Sequence, residues 1–280
     1  SDIPVMRGSI KYVVVAQLLL PIAVIGYLVD RTDTPLLLSL FAISFAAYLL
    51  LVLTKKCTLK EMLIAGIMAR VMLIGSTPEL SDDFYRFAFD GKMLIEGENP
   101  YTVIPSKLEG QTEYDKQLIS EMNSPDYFTV YPPINQIFFS VPTLIAGDNI
   151  VAYTFILRIL IVLFEILLAL LLLKMLQFLR KDLKLFAWYF LNPLVIVELS
   201  GNLHFEGVTM FFFLLAIYLM MTNKLVKSAL VYAVAIGTKL IPLMLLPLLI
   251  KRLKMKAAWY YAIVGVAVAL LFLPFIDAQL

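Results

Sequence analysis

The chain has 280 residues, 61% of them hydrophobic, and a mean hydropathy of +0.88. Apolar runs of about 20 residues recur along it, which excludes a soluble domain and points to an all-α, polytopic membrane protein; the period-2 alternation of an outer-membrane barrel is absent. A net charge of +2 is uninformative as a total, and nucleic acid is not expected as a partner; one cysteine (Cys57) and one histidine argue against disulfides and cysteine- or histidine-rich zinc sites.

The first run, residues 10–29, ends at the polar turn Asp30-Arg31-Thr32-Asp33. Residues 36–53 return to Lys55 and Lys56, and residues 63–74 form a third run with Arg70 inside it. A cytoplasmic amino end places Lys55, Lys56 and Lys60 inside and residues 78–101 outside. No signal-peptide pattern opens the chain. Ser1 in place of Met and the end at Leu280 suggest a processed, tagged or truncated chain.

The stretch 78–101, PELSDDFYRFAFDGKMLIEGENPY, concentrates acids, bases and aromatics between apolar runs. Ser81 reads as a helix N-cap with Asp82 and Asp83 in the first turn, Gly97 as the stop, and Asn99-Pro100 as the exit turn. The helix between them puts Asp82, Arg86 and Asp90 on one face. A polar loop follows, with a short helix expected over 112–122. Then comes Tyr131-Pro132-Pro133, with Pro133 suited to the first turn of the next helix. That helix, 134–146, is too short for an ordinary span.

If 134–146 does not cross, 151–179 runs inward to Lys174, Arg180, Lys181 and Lys184, 185–199 runs outward, and 205–222 returns to Lys224 and Lys227. Most of the 23 Lys/Arg are then cytoplasmic. Residues 225–250, interrupted by Gly237-Thr238-Lys239 and Pro242, read as a helical hairpin, and 258–275 as a last outward run. The whole is a single module (10–75 N-terminal spans, 76–150 outer loop with two juxtamembrane helices, 151–280 remaining spans) with about eight or nine membrane helices, some short or re-entrant. No internal repeat of the inverted-transporter kind is visible. Arg158 and Glu165, seven apart on one helical face, are expected to pair.

Ser81-Asp82-Asp83-Phe84-Tyr85-Arg86, Asp90-Gly91, Asn99-Pro100-Tyr101 and Tyr131-Pro132-Pro133 together resemble the bacterial mannosyltransferase-like branch of the GT-C superfamily. Those are integral membrane glycosyltransferases that draw on polyprenyl-phosphate sugars. Asn192-Pro193, the turn 201–207 and Lys239-Leu240-Ile241-Pro242 fit the same pattern. The resemblance implies a bacterial inner-membrane enzyme with its active site facing the periplasm or exterior. It would move a hexose, mannose as the family-based guess, from a polyprenyl-phosphate donor to a lipid, glycan or protein acceptor, with inversion. Relatives usually carry further spans, which implies a core module or fragment and leaves room for a partner subunit.

The chemistry asks for the same residue types. A carboxylate must take the acceptor proton, and cations must hold the departing phosphate as its charge grows. By resemblance Asp82 is the base, and Asp83 orients the acceptor or binds a metal. Arg86, His204 and Lys239 are the phosphate contacts, and Tyr131, Glu206 and Arg158 complete the substrate-binding set. Two adjacent carboxylates permit a divalent ion, Mg or Mn, without demanding one. A plainer role stands beside each: a cap and surface cluster for Asp82 and Asp83, helix support for Asp90, an interfacial hydrogen bond for His204, a helix start for Glu206, and structural pairs for Arg70, Arg158 and Glu165. A transporter or flippase path lined by Arg158, Glu165 and Lys239, or a non-catalytic subunit of the same fold, are the rival readings.

Overall fold

A computed structural model describes residues 8–54 and 56–276; Lys55, counted above among the cytoplasmic cations, and the chain ends lie outside the described residues. The described residues are helical, with no strand among them. Four stretches are long and apolar enough to cross a membrane: Ile10–Leu28, Thr34–Thr54, Ile150–Phe178 and Ile241–Phe275. A fifth arises if the bent pair Leu183–Phe190 and Pro193–Gly201 is one span. The sequence-based figure of eight or nine also counts shorter apolar helices, which are too short by this measure: Pro133–Ala146, Glu206–Met221 and Leu225–Thr238.

The chain divides into two compact units, Ser1–Ser81 with Arg158–His204, and Asp82–Leu157 with Phe205–Leu280. In the first, α1 (Gly8–Leu28), α2 (Thr34–Thr54), α3 (Leu59–Val71) and residues 158–178 of a long helix surround a core that includes Leu18, Ile22, Leu51, Ala69, Leu73 and Phe190. Thr58 starts α3 with a capping box closed by Glu61. A Cβ on Gly66 would lie 2.4 Å from the Phe190 ring, so only glycine lets α3 approach this closely. The expected simple outward span at 185–199 is instead bent by 54°. Pro193 cannot continue the helix before it, and Asn192 restarts the chain by accepting the Leu194 N–H at 3.0 Å.

Buried charge organises this unit differently from the expected Arg158–Glu165 pair. Glu165 instead binds Arg70 Nη2 at 2.9 Å and accepts from the Tyr189 hydroxyl at 2.8 Å. Arg70 also donates to the Gly66 and Phe190 carbonyls and stacks 4.0 Å from the Phe190 ring. Arg158 donates to the carbonyls of Ser200 (2.8 Å), Gly201 (2.9 Å), Ile74 (2.9 Å) and Ser76 (2.5 Å). These are free carbonyls at helix ends, which a buried guanidinium satisfies.

The second unit holds α4 (Asp83–Ile95), α5 (Glu113–Glu121), α6 (Pro133–Ala146), the start of α7 (Ile150–Phe178), α8 (Glu206–Met221), α9 (Leu225–Thr238) and α10 (Ala257–Phe272). The expected short helix appears as α5, capped by Thr112, and Pro133 opens α6. Gly97, at φ 82°, ends α4 in a Schellman arrangement, with Glu98 N–H donating to the Met93 carbonyl at 2.9 Å. Where α4 crosses α6, a Cβ on Gly91 would stand 2.4 Å from the Phe139 carbonyl oxygen; backbone cannot move aside as a side-chain tip can.

The hairpin expected over 225–250 is present. α9 ends at Lys239, whose backbone is extended, and the chain turns back, held by the Tyr232 hydroxyl donating to the Pro242 carbonyl at 2.6 Å. A 14-residue helix is about 21 Å long, short of a hydrocarbon core of about 30 Å.

Candidate active site

Of the predicted site residues, Asp82, Asp83, Arg86, Tyr131, Glu206 and Lys239 belong to the second unit, and Arg158 and His204 to the first. Asp82, rather than Ser81, occupies the N-cap position of α4, and Asp83 begins the helix. Ser81 Oγ lies 3.2 Å from His204 Nε2 instead. The Asp82 carboxylate makes no capping bond, so the helix start does not depend on it. Asn123 Nδ2 donates to Asp83 Oδ1 at 2.9 Å and fixes that carboxylate.

Arg86 and Asp90 form a buried pair, 2% and 1% exposed, with Arg86 Nε donating to Asp90 Oδ1 at 2.7 Å. The i, i+4 spacing made this partner legible. The rest of the network was not. Thr129 Oγ1 (2.5 Å) and Gln136 Nε2 (3.2 Å) donate to the other Asp90 oxygen, and Arg86 Nη1 donates to the Ser124 and Tyr127 carbonyls. These residues lie roughly 40 to 50 positions away, where no spacing rule reaches. Arg86 Nη2 is buried without a hydrogen-bond partner. Burial pushes the Asp90 carboxyl up, and Arg86, Thr129 and Gln136 oppose it.

Tyr131 joins several parts of the second unit. Its carbonyl accepts from the Tyr101 hydroxyl at 2.7 Å, and its ring meets Phe87 (5.0 Å) and Phe139 (5.3 Å) edge-on. Phe205 meets Phe87 (5.8 Å) and Phe139 (5.3 Å) in turn. This aromatic cluster ties α4, the Tyr131-Pro132-Pro133 turn, α6 and the start of α8 together. The Tyr131 hydroxyl is pushed up chiefly by burial, with Asp83, Asp90 and Glu206 adding to it and Arg86 opposing, which places it within electrostatic reach of all four.

Glu206 begins α8 and pairs with Lys239, the cation at the hairpin tip. The partner explains how an otherwise expensive lysine is accommodated. Beside this pair lies a groove of about 120 Å³ lined by Thr209, Met210, Phe213, Ile241, Pro242 and Leu245.

In the first unit, His204 Nδ1 lies 3.4 Å from Glu198 Oε2, a partner that sequence reasoning missed. All three guanidinium nitrogens of Arg158 are engaged by backbone carbonyls. That corrects the expectation of Arg158 as a phosphate contact, because an anion would have to displace helix-end carbonyls to reach it. Among the described residues no group of three or more His, Cys, Asp or Glu could hold a metal ion. Asp82 and Asp83 alone supply too few ligands for a protein-held site.

The loop that follows α4 is clipped to it by Lys92, whose ammonium binds Asp115 at 2.6 Å and Glu96 at 3.4 Å. Burial pushes Asp115 up, but Lys92 and Thr112 together outweigh it and hold the carboxyl below its usual 3.8. Burial pulls Lys92 down, and the Asp115 and Glu96 carboxylates raise it above 10.5. The Asp115 contribution to stability is therefore present above pH 3.8 and lost as pH falls through its lower folded value. The Lys92 contribution is complete below pH 10.5 and lost as pH rises through its higher folded value. The protection of α5 amides, taken relative to their intrinsic exchange rate at each pH, is expected to hold between these limits and to fall by roughly tenfold in acid before that of α8 and α9. Protection of α5 that falls only together with that of α8 and α9 as the pH is lowered would contradict the clip.

The described residues are all helical with membrane-length apolar stretches, the class of an integral membrane protein, and they carry a helix led by two carboxylates and a lysine at the rim of an apolar groove. The family model described as alpha-(1->6)-mannopyranosyltransferase, N-terminal domain, matches residues 15–254, and the chain belongs to that family. It is a mannose-transferring glycosyltransferase of GT-C type. No curated protein and no solved structure matches the chain.

Proposed function

We propose that the protein moves mannose from a polyprenyl-phosphate donor to a hydroxyl of a lipid, glycan or protein acceptor, on the periplasmic or outer face of a bacterial inner membrane. Asp82 takes the acceptor proton as the oxygen attacks the anomeric carbon, and the bond from that carbon to the phosphate oxygen breaks in line. Phosphate is a good leaving group, so no strong general acid is needed. Inversion that leaves an α-(1→6) link requires a β-linked donor. Asp83, held by Asn123, orients the acceptor.

The observation that carries the donor assignment is the groove beside Lys239. It offers an apolar wall to a prenyl tail and an ammonium to the phosphate at its rim. The Lys239–Glu206 pair is partly exposed (28% and 49%), so an arriving phosphate can compete for the ammonium. Arg86 Nη2 is the one guanidinium nitrogen of Arg86 left for an anion. His204 has both ring nitrogens turned to Ser81 and Glu198, so a phosphate role for it requires exchanging one of them. The transporter rival is weakened because Arg158 and Glu165 are fully buried and bound within their unit, not lining an open path there.

Lys239→Gln is expected to raise KM for the lipid-phosphate donor by roughly tenfold or more, the loss of one charge-assisted hydrogen bond. Lys239→Arg should restore part of it. An unchanged donor KM in Lys239→Gln would remove the groove from the donor site.

A further inference from the structure

The second unit carries a charge asymmetry that its catalytic residues do not use. Between Gly207 and Ile276 the sequence has seven Lys/Arg and no Asp or Glu. The exception in placement is Lys239, at the hairpin tip and paired with Glu206. The fold brings the other six, Lys224, Lys227, Lys251, Arg252, Lys254 and Lys256, to the opposite end of the hairpin.

Three observations place them there. Lys254 has φ 50°, which breaks the helical path between Leu253 and α10. The Tyr261 hydroxyl donates to the Leu246 carbonyl at 2.8 Å, although 15 residues of straight helix would separate them by about 22 Å, so the chain folds back around the basic turn. Met220, Leu225, Leu253 and Ala257 share one apolar cluster, which sets the α8–α9 turn beside the basic turn.

All six cations are exposed, and among the described residues none has an ion-pair partner. Met255 is 95% exposed and Trp259 65% exposed on the same turn, with Leu253 buried beneath them. A soluble polyanion site would not need an uncovered methionine and tryptophan. The basic turn interrupts the apolar stretch Ile241–Phe275, and the chain folds back there, so the two apolar arms meet at the turn and set it at their common end, where tryptophan and lysine are favoured at the headgroup level.

We propose that this basic turn is a binding site for anionic phospholipid headgroups, with Lys251, Arg252, Lys254 and Lys256 gathering the phosphates and Met255 and Trp259 set among the upper acyl segments. Each cation near an anionic leaflet strengthens association by roughly fivefold at low salt, and the effect fades within a Debye length. The site is independent of the donor groove and of the catalytic reading.

The chain has two tryptophans, so a Trp188→Phe background isolates Trp259. That protein, reconstituted in phosphatidylcholine vesicles, is titrated with brominated phosphatidylglycerol or with brominated phosphatidylcholine at equal mole fraction. Bromine quenching of Trp259 is expected to be at least twofold stronger with phosphatidylglycerol. The preference should vanish when Lys251, Arg252, Lys254 and Lys256 are all changed to Gln, with the melting temperature retained because all four are exposed. Equal quenching by the two lipids overturns the proposal. So does loss of the preference on adding millimolar inorganic phosphate, which assigns the turn to free phosphate, or on adding an oligonucleotide, which assigns it to a soluble polyanion.

Discussion

Asp82→Asn is expected to lower kcat for mannosyl transfer by roughly 10²–10⁴-fold while leaving donor KM close to that of the parent. The reason is local. The carboxylate stands at the N-cap of α4 without capping it, and asparagine is as good a residue there, so the helix and its partners survive the change. Asp83→Asn acts differently, because Asp83 is the carboxylate that Asn123 fixes; its effect is expected to fall mainly on acceptor KM. Wild-type rates in both variants would move the protein to the non-catalytic reading of the same fold. A dead Asp83→Asn beside an active Asp82→Asn would exchange the two roles.

The second large effect concerns Asp90, which touches no substrate in this account. Removing it leaves the Arg86 guanidinium buried and uncompensated, at a cost of about 3–5 kcal/mol. Asp90→Ala should therefore lower the melting temperature in detergent by on the order of 10 °C. Replacing both partners with apolar residues, Arg86→Met with Asp90→Leu, should recover much of that stability, since a buried pair and a packed apolar pair are often close in energy. Activity should not recover with it, because the Arg86 bonds to the Ser124 and Tyr127 carbonyls set the loop that leads into Tyr131. An Asp90→Ala protein that melts with the parent would show the pair to be dispensable.

What was legible in the sequence was local. The stop at Gly97, the short helix expected over 112–122, Pro133 in the first turn of α6 and the hairpin turn around Gly237-Thr238-Lys239 all follow from short-range backbone rules. The N-cap moved by one residue because Ser81 meets His204, 123 positions away, and no local rule contains that contact. Arg158 and Glu165 share a helical face, which suggested a pair; Glu165 found Arg70 95 residues earlier, and Arg158 found helix-end carbonyls. Hydropathy read 185–199 as one span, although Asn192-Pro193 already carried the signal for the bend. Gly91 entered the sequence reading only within the Asp90-Gly91 motif, and its close approach to the Phe139 backbone is a contact that no local rule contains.

The most direct measurement is a donor assay in membranes carrying the protein. β-Mannosyl polyprenyl phosphate labelled in the sugar is supplied with a mannoside acceptor, and the anomeric configuration of the product is read by NMR. The account predicts α-(1→6)-linked label from this donor, inverted at the anomeric carbon, and none in membranes carrying Asp82→Asn. Label arriving from a water-soluble nucleotide sugar while the lipid donor stays inert, or a β-linked product, would contradict it.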